Sequence, residues 1–364
     1  MPKKIKLAVV GVGNNISALV QGVYLHRKLY DEAGTDTLLD LPGVSLERVG
    51  GLTAGDVDFV AAIDVNQYKV GKDLSVAIFA QPNNFPKLDV ELSEIGVPVF
   101  AGIRLDGIPD HLEEDCNGIP ESMESDKDKI VEYLKNSGAE VLLYSLPTNC
   151  QQCANFYAQC ALEAKVAFIN CTPDIVGRNP ELLSAYEKAS IPLVGDDLAS
   201  QIGSSILQRE ILSLLKRRGI NITQSYQINV GGNTDFKNLK VSGHLKLESK
   251  KNALSNDLIN TDLVEVIPSA GMLKQLNDHK VCYMNFEGRG WGNTPISIDL
   301  KLIVQDSSNA AGVIIDLIRI AAIAKRHNLG GFPVCAAYFL KSPSKNKGAG
   351  DISEVAEWDK SLTS

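Results

Sequence analysis

Apolar residues follow two rhythms along this chain. Up to about residue 200 they form short continuous runs, as in strands buried on both faces. Ile5-Lys6-Leu7-Ala8-Val9-Val10, Phe59 to Ile63, Val141-Leu142-Leu143-Tyr144, Ala167-Phe168-Ile169 and Leu193-Val194 are such runs, and Val97-Pro98-Val99-Phe100 is a shorter one. Helix-like segments separate them, one predicted over Lys69 to Phe79 and another starting at Ile130. This is the βαβ alternation of a Rossmann-type, doubly wound parallel sheet in an α/β fold. Past residue 200 the rhythm changes. Gln201 to Arg218 reads as a helix, with Ile202, Ile206 and Leu207 and then Ile211, Leu214 and Leu215 at core spacing. Strict alternation follows. Tyr226, Ile228 and Val230 alternate with Gln227 and Asn229, and Ile296 to Val304 alternates with Ser297, Asp299 and Lys301. That period predicts a second, α+β domain on an open mixed or antiparallel sheet with its apolar face covered.

The segment Ala311 to His327 is apolar on most sides, is preceded by Ser307, Ser308 and Asn309, and is stopped by Gly330-Gly331. A helix of this kind must be buried, and it is expected to rejoin the first domain. The division predicted is 1–200 completed by 309–364, and 201–308 between them. Pro109 to Asp128 is acidic and reads as a solvated loop, and the polar tail after Lys345 is expected to be loosely held.

The first apolar run ends in Gly11-Val12-Gly13-Asn14-Asn15-Ile16. Glycines let a backbone approach a pyrophosphate, and free N–H groups at a helix start point at the anion. The third glycine of the usual dinucleotide pattern is absent. Asp64 ends the next strand, where an acid accepts ribose hydroxyls and disfavours a 2′-phosphate, so NAD is expected rather than NADP. Its distance from the glycines implies an insertion near Tyr30 to Gly55. In parallel sheets ligands sit where strands end, which adds Ser145, Leu146 and Pro147, and the pair Asp196 and Asp197, to the cofactor candidates.

Composition narrows the function. A net charge of −8 over 364 residues leaves no basic surplus for nucleic acid. No apolar run approaches the roughly 20 residues of a membrane span. Met1-Pro2-Lys3-Lys4 leads straight into a strand, so no secretory signal is expected. Seven cysteines in apolar contexts suit reduced thiols and a cytoplasmic location. Cys150 and Cys153 lack the second pair a zinc site needs.

Four polar clusters could do chemistry: Gly195-Asp196-Asp197; Asn229 to Asp235; Lys246, Lys250, Lys251 and Lys280; and Lys341-Ser342-Pro343. Lys246 and Lys250 are four apart and share a face of any helix. With Gly11-Val12-Gly13-Asn14-Asn15, Asp196-Asp197, Asn229 to Phe236, Asp306 to Val313 and Tyr338 to Pro343 in this order, the chain resembles the myo-inositol-phosphate synthases, in their short actinobacterial-like branch. The resemblance implies an NAD-dependent isomerase of inositol and phospholipid biosynthesis. Glucose 6-phosphate is oxidised at C5, enolised, closed by an aldol step from C6 to C1 and reduced again. It assigns catalysis to Lys246, Lys250, Lys280 and Lys341, with Asp197 and Asp235 orienting lysines or binding a cation. Substrate contacts would come from Asn233, Thr234, Asp235 and the four lysines. Crowded lysines are expected to have lowered pKa values. A divalent or a monovalent cation is compatible with the acids, and the resemblance implies a homo-oligomer, a tetramer. Ala199 stands where relatives often carry a basic residue. It is the support for an alternative in which another hexose phosphate is cyclised; a non-catalytic NAD-binding protein is the other alternative.

Overall fold

The computed structural model describes residues 3–34, 39, 41–254, 260–345 and 351–362. Its strands are β1 (Ile5–Val10), β2 (Val57–Asp64), β3 (Phe100–Ala101), β4 (Val141–Tyr144), β5 (Ala167–Asn170), β6 (Leu193–Val194), β7 (Asn221–Gly231), β8 (Val264–Ile267), β9 (His279–Arg289) and β10 (Pro295–Gln305). Its α-helices are α1 (Asn14–Ala33), α2 (Leu74–Ala77), α3 (Lys127–Ser137), α4 (Gln151–Glu163), α5 (Pro180–Lys188), α6 (Ser204–Arg217), α7 (Thr234–Ser242), α8 (His244–Leu254), α9 (Asp306–Arg326) and α10 (Ile352–Ser361).

Among the described residues, β1 to β6 form a parallel sheet in the order β3-β2-β1-β4-β5-β6. Strand order reverses between β1 and β4, the place where doubly wound folds bind ligands. Every residue of β4 and β5 is buried, which explains their apolar runs; Asn170, the polar end of β5, donates to the Asp174 carbonyl and to Asp196. The second sheet runs β10-β9-β7-β8, antiparallel except for the parallel pair β7 and β8. A small core of Leu212, Leu254, Val264, Val266, Cys282, Met284 and Phe286 backs it.

On β10 the apolar set faces the covered side as the alternation implies. On β7 the pattern is inverted. Ser225, Gln227 and Asn229 are buried, while Tyr226 is exposed and Ile228 and Val230 are half-covered. The polar residues have partners inside, described below, and the apolar ones face outward beside Tyr283 and Ile267 on the neighbouring strands.

Helix α9 runs from the second sheet back onto α1 and the first sheet. Against the expectation that no apolar run approaches the length of a membrane span, this helix is long and apolar enough to cross one, because it is packed on most sides and its side chains lie in the protein core. Arg319, fully buried on α9, donates to the carbonyls of Leu46, Glu47 and Leu52 and pairs with Asp316, pinning part of the insertion between α1 and β2. The rest of that insertion (35–38 and 40) lies outside the described residues.

Three expectations need correction. Lys69 to Phe79 is a turn followed by the one-turn helix α2, because Asp73 caps Ser75 and also accepts from Ile95 and Val97, holding the chain to the β3 lead-in. The tail after Lys345 contains α10, closed by an Asp351–Glu354 capping box, with Val355 fully buried and Trp358 against the core; 346–350 and 363–364 lie outside the described residues. The acidic segment 109–128 is not merely solvated, since Leu112 and Ile119 are buried.

Candidate active site

Two adjoining cavities lie between the sheets, with Asn15, Asp235 and Asp306 in the walls of both. The first, of about 220 Å³, follows the β1–α1 turn. It is lined by Gly11, Gly13, Asn14, Asn15, Asp64, Ser145, Leu146 and Pro147, together with Asn233 and Thr234. The second, of about 90 Å³, contains Lys246, Lys250, Lys280 and Lys341 with Asp197, and Ala199 is in its wall.

The first cavity suits a dinucleotide. Gly11 has φ +86°, and a Cβ there would stand 2.5 Å from the Ser145 carbonyl oxygen. A Cβ at Gly13 would meet nothing within 4 Å, so the backbone lies open to the cavity. Helix α1 starts without a side-chain cap or an acid in its first turn, leaving its positive end for an anion. Asp64 at the tip of β2 is nearly buried; it accepts from the amides of Val12 at 2.7 Å, Val65 at 2.7 Å and Asn66 at 2.8 Å. It therefore ties the glycine turn to β2 as well as facing the cavity. Asn14 is engaged similarly, accepting from the amides of Asn84 and Phe85.

Neighbours of this cavity that the sequence did not reveal include Lys69, whose ammonium donates to the Val12 carbonyl at 2.8 Å and to Asn83 at 3.0 Å. Leu112, Asp115 and Cys116, also in the cavity wall, come from the acidic segment. The Asp115–Lys237 pair at 2.7 Å and the His111–Asn238 contact at 3.0 Å fasten that segment to α7. The Pro82-Asn83-Asn84 turn was the available signal for Asn83; an acid-rich stretch gave none for Leu112.

The second cavity is organised by Asp197. Its φ of +59° lies in the left-handed region, which Asp tolerates better than most residues. This turn sends Asp196 and Asp197 in opposite directions. Asp196 is fully buried away from both cavities, accepting from Asn170, the Gly177 amide and Arg178. It shapes the loop after β5 and does not line the nucleotide cavity. Asp197 faces the lysines and not the first cavity. It accepts from Lys246 at 2.8 Å and Ser249 at 2.6 Å and pairs with Lys341 at 3.1 Å. Lys341 is held there by main-chain bonds between residues 341–342 and 196–197. Ile16, also expected at the cofactor, has its side chain fully buried in the first core. Asn233 and Thr234 face the nucleotide cavity rather than the lysines, and Asn233 donates to Asp278 at 3.1 Å.

Lys246 and Lys250 do share a face of α8, but their surroundings differ. Burial opposes charge on Lys246, and the carboxylates of Asp197 and Asp235 overcome it, so its pKa is raised. Burial lowers Lys341 to about 7, against the pull of Asp197 and with help from Lys246 and Lys280. Lys250 is also lowered, by burial first and then by Lys280 and Lys341, with the Cys282 thiol pulling weakly the other way and no carboxylate among its main influences. The crowding argument thus fails for Lys246, because a carboxylate lies closer than any other lysine's charge. For Asp197, burial is overcome by Lys246 and Lys341, which hold it well below the usual carboxylate range. Burial raises Asp235, with Asp306 adding to the shift. Lys280 stands 3.5 Å from Asp306 and over the Phe236 ring. The site therefore offers one firmly charged lysine, two with lowered basicity and a fourth beside an acid. That set can accept a proton and stabilise an oxyanion at once.

The family model for myo-inositol-1-phosphate synthase matches residues 203–307. The chain is 39% identical to the inositol-3-phosphate synthase of Mycolicibacterium smegmatis over 94% of each chain. Among solved structures, that of Ari2 superposes with TM-score 0.84 at 51% identity, covering 99% of this chain and 98% of that one. A myo-inositol-1-phosphate synthase-related protein from Thermotoga maritima has the same fold, with TM-score 0.72 at 20% identity and coverage of 99% and 98%.

Proposed function

As the chain belongs to the myo-inositol-1-phosphate synthase family, we propose that it converts D-glucose 6-phosphate to 1L-myo-inositol 1-phosphate as an NAD-dependent isomerase. The observation that carries this reading is the gathering of Lys246, Lys250, Lys280 and Lys341 in a cavity that shares walls with the nucleotide cleft. NAD bound there would provide a hydride acceptor for C5 and a hydride donor after ring closure. Gly11, Gly13, Asn14, Asn15, Asp64 and Ser145 to Pro147 would hold it. Lys341, uncharged above a pH of about 7, takes the proton of the C5 hydroxyl. Lys246 stays charged beside Asp197 and opposes the negative charge that grows on the C5 oxygen during enolisation. Lys250 and Lys280 are assigned to the C1 oxygen and the phosphate. The start of α6 supports that placement: Gly203, Ser204 and Ser205 line the cavity, α6 has no side-chain cap, and the buried Ser205 hydroxyl has no partner.

The test is incubation with glucose 6-phosphate and catalytic NAD, with divalent and ammonium ions varied and the product identified by NMR. Inositol phosphate forms with no build-up of NADH. NADH equal to the substrate consumed overturns the reading. A second reading keeps the chemistry and changes the hexose phosphate. Ala199, nearly buried in the wall of the lysine cavity, favours it by removing a cation from the substrate's surroundings. Parallel assays with other hexose phosphates separate the two.

The reading includes a cytoplasmic homo-oligomer, with residues 201–308 supplying catalysis and assembly. The outward face of the second sheet, with Tyr226, Ile267, Tyr283 and Ile303 exposed, supports assembly.

A further inference from the structure

Three of the four lysines stand beside an acid: Lys246 and Lys341 at Asp197, Lys280 at Asp306. Lys250 does not. It is buried and donates to two neutral oxygens, Ser204 Oγ at 2.8 Å and Gln227 Oε1 at 2.9 Å. Gln227 is fully buried, and so is Gln208 on α6.

The direction of the Gln227 amide is fixed from the far end of a hydrogen-bonded chain. Ser225 has a single hydroxyl proton and gives it to the Asn285 carbonyl at 2.8 Å. Its oxygen must then accept, and it does so from Gln208 Nε2 at 2.9 Å. That turns Gln208 Oε1 toward Gln227, whose Nε2 donates to it at 2.6 Å. Gln227 Oε1 is left facing Lys250, and Asn229 Nδ2 braces it at 3.1 Å. The polarity of the chain follows from a backbone carbonyl, not from the protonation of the lysine. A glutamate at 227 would fit the same volume and supply the missing counter-ion.

We propose that Gln227, oriented by Gln208, is a positioning residue that holds Lys250 in the pocket without a counter-ion, so that this lysine takes up its proton together with the substrate's phosphate. The inference rests on the sugar-phosphate reading of the pocket. The charged and titratable groups that act on Lys250 are Lys280 and Cys282 from β9, Lys341 from the segment after the first core and Lys246 from its own helix. The lysines that are charged among these resist a further charge until an anion arrives. No bond is made or broken; a solvent proton is bound with the anion.

The experiment is calorimetric titration of inorganic phosphate into the full-length, NAD-saturated protein at pH 8. Two buffers of different ionisation enthalpy give the protons taken up per phosphate. Against the unaltered protein, Gln227→Glu takes up about one proton fewer and binds phosphate at least tenfold more weakly, because the lysine is already charged and a carboxylate stands beside the anion. Lys250→Met shows the same proton deficit. Equal proton counts in Gln227→Glu and the unaltered protein, or full uptake in Lys250→Met, overturn the proposal. Should Gln227→Glu not fold, Gln208→Leu replaces it: the freed Gln227 amide gives several-fold weaker phosphate binding with uptake intact, and unchanged binding overturns the role. Turnover of glucose 6-phosphate is followed separately. Its absence alongside the proton deficit faults the substrate reading alone, and its presence without the deficit faults only the positioning role.

Discussion

Lys341 and Lys246 share one carboxylate and end in different protonation states, which makes a pH profile informative about single side chains. With its folded pKa lowered to about 7, Lys341 is protonated below that value and a free amine above it. A step that needs the amine therefore gives a kcat/KM that rises with pH and levels off above about 7. Lys341→Met should remove this limb and cost about 10² or more in kcat/KM; the profile measured on both proteins checks it. Adjacent residues with unlike roles are also where the sequence is least legible. Asp196 and Asp197 have identical side chains, and only the left-handed turn at Asp197 decides which one meets the lysines. Asp64 and the glycine turn were readable because a buried strand ending in glycine has few other uses. The four lysines were not readable from spacing; the resemblance brought them together, and only geometry showed that Lys250 stands apart from the acids among the described residues.

At the level of elements, the parallel strands could be read directly, because burial on both faces writes itself as uninterrupted apolar residues. Period-two alternation carried less information. It marks a sheet with two unlike faces and does not say which face is inside, so β7 could turn Gln227 inward and Tyr226 out. The acidic segment 109–128 misled for a related reason: its average composition is that of a surface, while Leu112, Asp115 and Cys116 within it line the first cavity. Helix α9 was legible as a buried element, and its close passage can be tested. A Cβ on Gly312 would stand 2.4 Å from the Gly43 carbonyl oxygen and 2.4 Å from the Gln201 side chain. Gln201 can move and the carbonyl cannot move freely, so Gly312→Ala should lower stability by about 1–3 kcal/mol. Chemical denaturation of the two proteins measures it, with a fall in midpoint and an unchanged slope expected.

For the whole molecule, the second sheet leaves one face to be covered. Tyr226, Tyr283 and Ile303 are 39%, 47% and 54% exposed and stand on neighbouring strands. An apolar face of this kind points to contact between copies of the chain. Replacing Tyr226 and Ile303 together by lysine should shift the protein to monomers in sedimentation velocity, and an unchanged sedimentation coefficient would exclude this face. The lysine cavity adds a separate consequence. Asp197 belongs to the turn after β6, Lys246 to a helix beside the other sheet, and Lys341 to chain that has already crossed back. The polypeptide thus visits one carboxylate three times, from places far apart in the gene. No fragment ending before the last of these visits can retain the full charge arrangement, so a truncated or split version would lose the proposed proton acceptor even with its glycine-turn cavity whole.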